Sequence, residues 1–322
     1  MPAISPAPGD SCRALPVRAE RPALAAALAF ACALSASASA ADCADIAAGD
    51  TARLPRDLAP RIVLLQGSLG IVTMAPVAAF LEGMGYPRGQ LVDPKTGALT
   101  SDSDLDGRTL AGILAWQAER DRVRPMIVGH SKGGGVVIDT LHVLDGDEDL
   151  PLVDPATHAP LARSRFRDPG TGTDRRVVEL AVPLAVVKAT GRLPRILRGH
   201  FALAAKLRDV PDSAEVFVGM TIPFDPIAGS FAAGTDPYRA RGRAQVRNVD
   251  LPVTTSHIGL PRTEHLARDP VARAWIDGWR PGDARTPPVL DDASNLDVAA
   301  ELWHAVKDAW CREAARTRAG GG

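Results

Sequence analysis

Apolar and polar positions along the chain follow two rhythms. Short, mainly apolar runs have the length and branched content of buried strands: RIVLL from residue 61, MIV from 126, VVELAVPLAVV from 177 and AEVFVGM from 214. Elsewhere apolar residues recur three and four positions apart, as on helices with one buried face. Met74, Val77, Phe80 and Leu81 form one such set; Leu110, Ile113 and Leu114 form another, with Gln117 at the same spacing. Residues 136–144, a basic stretch over 193–207, and the late segments 271–279 and 296–316 read the same way. Strands with continuous apolar character are covered on both faces, and strands separated by helices pair in parallel. The pattern therefore predicts an α/β fold with three layers and a mostly parallel sheet.

Three stretches break these rhythms. LVDPKTGALTSDSDLDG, from residue 91, is a polar loop, and residues 145–176, rich in Pro and Asp, read as a surface insertion. Residues 191–213 form a possible cap segment: Arg195, Arg198, Lys206 and Arg208 are interleaved with Ile196, Leu197, Phe201 and Leu203. Such a segment can cover an acyl pocket or touch an anionic membrane surface, although an ordinary amphipathic helix with solvated charges is the plainer reading.

The amino end is of another kind. Arg13, Arg18 and Arg21 precede an apolar run over 23–34, followed by SASASAAD, in which Ala38 and Ala40 fit an A-x-A cleavage site. This predicts a signal peptide over residues 1–40, export to the periplasm or beyond, and one domain over 41–322. The chain's 46% apolar content is enough for a sizeable core. Of four cysteines, Cys12 and Cys32 fall in the leader, which leaves Cys43 and Cys311 for a single bridge in an oxidising compartment. No CxxC or Cys/His grouping points to a metal, and no cofactor is expected. With 37 Lys and Arg against 38 Asp and Glu, nothing suggests a nucleic-acid partner. Oligomeric state is left open.

The sharpest local signal is Gly129-His130-Ser131-Lys132-Gly133, a G-x-S-x-G set directly between a predicted strand and a predicted helix. A strand that turns abruptly into a helix needs small residues around the turn, and it lifts the serine above the carboxyl end of the sheet. The N–H of Lys132, at the helix start, is placed to stabilise an oxyanion. The earlier strand ends at Gln66-Gly67-Ser68-Leu69-Gly70, where Ser68 is the candidate for a second N–H donor. Downstream, Asp225 follows the strand around Val216-Phe217-Val218, and His257 lies in TTSHIGL. His265 is the serious rival for the histidine, and Asp236 and Asp250 are rivals for the acid.

Serine, acid and histidine in this order resemble the α/β-hydrolase superfamily, in particular its secreted esterases and lipases, from about Arg61 to the chain end. The resemblance implies Ser131 as nucleophile, His257 as base and Asp225 as the carboxylate that orients it. It also implies a small-molecule or lipid ester as substrate. The chain departs from the family in having Gln66-Gly67 where His-Gly is common.

Other readings are weaker. Gly129, Gly133 and Gly135 also resemble the cofactor turn of short-chain dehydrogenases. That turn belongs near the start of its domain, and neither Tyr86 nor Tyr238 has a lysine four residues later. A noncatalytic hydrolase-like binding protein is the alternative of another class. Amidases, thioesterases and acyltransferases share the same acyl chemistry.

Overall fold

The computed structural model describes Cys43 and residues 51–68, 70, 72–230 and 236–320. Every element below belongs to the unit Asp42–Gly322. The leader expected over residues 1–40 lies outside the described residues.

Five strands make the central sheet: β1 (Ile62–Leu65), β2 (Met126–His130), β5 (Val182–Lys188), β7 (Ala214–Thr221) and β9 (Gln245–Asp250), in that spatial order and all parallel. Side chains alternate between its faces. Ile62, Leu64, Met126, Val128, Leu184, Val186, Val216 and Val218 pack in one apolar layer with α1 (Ala75–Gly83), α6 (Pro270–Asp277) and α7 (Leu296–Gly320). Val63, Leu65, Ile127, Ala185, Val187 and Phe217 pack in the other with α2 (Gly107–Asp121) and α3 (Lys132–Leu144). Four of these strands are the apolar runs of the sequence. The fifth, β9, is an edge strand whose half-exposed residues disguise it.

The first two crossovers diverge. After α1 the chain returns to β1, where Ser101 N–H donates to the Leu64 carbonyl at 2.7 Å and Gln66 N–H donates to the Ser101 carbonyl at 3.2 Å. Backbone groups of alternate residues point to opposite edges of a strand, so Ser101 borders the edge of β1 away from β2. The chain then crosses the other face through α2 to reach β2. Such a reversal opens a crevice beyond the carboxyl ends of the two flanking strands.

Several segments differ from their sequence pattern. The run from residue 177 is a turn at Val177–Glu179 followed by β5, whose Pro183 precedes the first residue paired with β2 and so removes no bond from that ladder. The basic stretch is not one helix but two, α4 (Leu193–Leu197) and α5 (Phe201–Lys206). They part at Gly199, whose φ of +77° no helix accommodates. Residues 145–176 are more built than their composition suggests. Leu150, Leu152, Val153 and Phe166 are buried, and β3 (Arg165–Arg167) pairs antiparallel with β4 (Asp174–Arg176). A small two-stranded sheet, β6 (Asp209–Val210) with β8 (Arg239–Ala240), completes the elements. No described helix is long and apolar enough to cross a membrane.

The last helix closes the structure. Arg124, just before β2, forms buried hydrogen bonds with Glu313 of α7 at 2.6 and 3.0 Å. Lys307 donates to the Asp277 carbonyl at 2.6 Å, joining α7 to α6. A disulfide joins Cys43 to Cys311, 268 positions apart. Closing so long a loop gives an entropic ceiling of about 6 kcal/mol, of which measured bridges realise a part. Cys311→Ser is therefore expected to lower unfolding stability by about 2–4 kcal/mol in a denaturant titration. Intact mass without reductant should fall short of the reduced chain by two hydrogen atoms, and two alkylatable thiols would contradict the bridge.

Candidate active site

Ser131 sits between β2 and α3 with φ 53° and ψ −113°, a conformation that costs a non-glycine residue about 1–3 kcal/mol. It is held there by its surroundings. Its N–H donates to the Lys188 carbonyl at 2.9 Å, and its carbonyl accepts from Thr190 Oγ1 at 3.0 Å. The flanking glycines are required by space: a Cβ at Gly133 would run into the Leu65 carbonyl, and one at Gly129 into the backbone of Gly133 and Gly134. The turn can therefore press against the end of β1. The Lys132 N–H belongs to the first turn of α3, where backbone donors have no partner within the helix.

The loop leaving β1 passes beside the serine. A Cβ on Gly67 would lie 3.5 Å from Ser131 Cβ and 3.4 Å from His130 Cδ2. Ser68 follows on this loop and is exposed. Ser131 and the Gly67–Ser68 backbone thus lie together at the carboxyl ends of β1 and β2, with Lys132 opening α3 beside them.

Asp225 and His257 are brought together from loops after β7 and β9. His257 Nδ1 lies 2.6 Å from Asp225 Oδ2, and the two side chains are 7% and 2% exposed. The other carboxylate oxygen, Oδ1, accepts from the N–H groups of Ile227 and Ala228, both at 3.0 Å. With both oxygens engaged the carboxylate cannot rotate, and Nδ1–H donation leaves Nε2 of the imidazole as the acceptor. Phe224, the residue before the acid, is at φ 53°. The His257 ring packs against that of His130, centroids 4.9 Å apart, and His130 directly precedes Ser131. Asp225 and His257 are therefore joined by a hydrogen bond, and Ser131 adjoins them through its neighbour.

The rivals are placed differently. Asp236 pairs with Arg192 and Arg208 at 3.3 Å each, and Asp250 accepts from Thr221 Oγ1 at 3.0 Å. His265 lies 3.7 Å from Asp292.

Two groups at this edge were not singled out as functional by sequence reasoning. Lys188 ends β5 fully buried, its amine without a hydrogen-bond partner, and both ring nitrogens of buried His130 are likewise unpartnered. The only sequence signal for Lys188 is a lone charge closing an otherwise apolar strand. Burial depresses the His130 imidazolium well below its ordinary value, and the neighbouring His257 and Lys188 push it further down.

Comparison with protein-family models, with curated proteins and with solved structures finds no match.

Burial lowers the Lys188 ammonium from 10.5 to about 7. The unfolded chain holds that proton up to the ordinary lysine value, so the folded state carries a penalty on the order of a few kcal/mol. This penalty is complete below pH 7 and fades as the pH climbs toward 10.5. Lys188→Met is expected to raise Tm by several degrees at pH 6, with a smaller gain at pH 9, as read by calorimetry. An equal gain at both would mean that the buried charge is not its source.

Proposed function

We propose that the chain is an exported serine hydrolase of the α/β-hydrolase type, cleaving carboxylic esters through an acyl-enzyme intermediate. The observation that carries this reading is the buried Asp225–His257 hydrogen bond at the same sheet edge as a serine held at positive φ. The reversal of strand order beside β1 supports it, since the crevice there is where this architecture binds ligands.

In this reading, Nε2 of His257 takes the Ser131 hydroxyl proton as Oγ attacks the ester carbonyl. The imidazolium is stabilised by Asp225 and then protonates the departing alkoxide. The carbonyl oxygen, now negative, is met by the N–H of Lys132 and a second donor at Ser68. Water repeats the sequence on the acyl-enzyme and frees the acid. Exposed Phe224 and Ile227 beside Asp225, and Ile258 beside His257, offer apolar surface to an acyl or alcohol group. The Cys43–Cys311 bridge favours an oxidising compartment, in keeping with export.

The test is hydrolysis of p-nitrophenyl esters of graded acyl length by protein lacking residues 1–40. Ser131→Ala should lower kcat/KM by about four to six orders of magnitude with the fold intact, and His257→Ala by nearly as much, since the residues act as a unit. Asp225→Asn should cost less than loss of the serine, because oxyanion stabilisation survives it. For the wild type, kcat/KM should rise with pH as the imidazole is deprotonated. Failure of a fluorophosphonate to label Ser131, together with full activity in Ser131→Ala, would remove the serine from this role.

A further inference from the structure

His130, Lys188 and Met220 are register partners across β2, β5 and β7, so their side chains leave the sheet on one face. It is the face covered by α1, α6 and α7. The amine of Lys188 and the ring nitrogens of His130 are buried there with no hydrogen-bond partner.

Among the described residues no acid pairs with Lys188. On β7 the neighbour is Met220; Met74, which caps α1, with Val77 of α1 and Val298, Ala299 and Leu302 of α7, belongs to the same layer. Glu301, the buried acid in this stretch of α7, is bound to Arg247 of β9. After β5, Arg208 reaches the Thr190 carbonyl and pairs with Asp236. Beyond His130 lies His257, in ring contact with it, and beyond that Asp225. Three basic groups thus form a chain, Lys188, His130 and His257, with one carboxylate at its far end.

Within a buried cluster, one carboxylate supports one positive charge far better than two. Acyl transfer needs that charge on His257 while the serine proton is in transit. We propose that Lys188 is a positioning residue which, through His130, governs the charge His257 can carry, so that acyl transfer runs at full rate only while the Lys188 amine is neutral. This rests on His257 as the general base. Burial alone brings the amine to about 7, within the working range of the site.

Two measurements test it. The first is the kcat/KM profile of a p-nitrophenyl ester from pH 5 to 9 for the wild type and Lys188→Met. The wild type should show two successive rises, the upper near pH 7, and the variant one. At pH 6, relative to its own plateau, the variant should be several-fold more active. The second is NMR of the 13C-labelled His257 ring and the Lys188 Cε in the same proteins. In the wild type the lysine should titrate near neutral pH and the same midpoint should appear in the His257 signal; in Lys188→Met that midpoint should be gone from the His257 signal. Identical profiles, a His257 titration unmoved by the substitution, or a lysine still charged at pH 9 would each overturn the proposal. Should neither protein cleave any ester, the hydrolase reading fails, and the histidine titration still decides the coupling.

Discussion

The bond from Ser131 N–H to the Lys188 carbonyl extends the β2–β5 ladder one residue past the last strand position, and the arrangement at the sheet edge depends on it. It holds Ser131 at positive φ, where the chain changes from strand to helix within a single residue. Glycines at 129 and 133 then let α3 begin against the backbone of β1. Strain of this order persists only where the surroundings leave no alternative, and here hydrogen bonds and close backbone contacts converge on one residue.

The Asp225–His257 pair is built by a different means. Two loops from neighbouring strands supply the groups, and the acid is immobilised by backbone donors from its own loop. A buried carboxylate needs its oxygens satisfied, and Asp225 meets that need with two N–H groups on one oxygen and an imidazole on the other. The His130 ring fills the space between this pair and the buried Lys188. Polar groups without partners are costly in a core. Their concentration beside the pair, on a face that Ile62, Leu64, Val128, Leu184 and Val186 otherwise fill, marks this edge as something other than packing.

Remote from the site, α7 carries the closure of the molecule. Trp303 and Trp310 are fully buried in its apolar layer, and their indole N–H groups donate to Asp277 and the Pro55 carbonyl. Glu313 grips Arg124 at the amino end of β2. The disulfide fastens the same helix to Cys43. These contacts anchor the bottom of β2 while its top holds Ser131 in a strained conformation.

What the sequence determined alone is what local rules encode. Apolar runs and helical spacing were enough for the parallel sheet and most of its helices, because burial on both faces leaves a pattern within a few residues. The turn at Ser131 was legible because its glycines stand directly between an apolar run and a helical pattern, although the space that demands Gly133 is set by Leu65 of β1. Where a local rule was overridden, the cause was conformational, as at Gly199, or positional, as for β9 at the sheet edge. Only the tertiary structure decided which partners meet. That Asp225 rather than Asp236 or Asp250 bonds to His257 is a matter of loop convergence across 32 positions, for which spacing has no rule. The setting of Lys188 was likewise invisible, since its lack of a counter-charge is a property of the space around it. Periodicity along a chain reports which face is buried, whereas the charge a buried group can carry depends on everything that surrounds it in three dimensions.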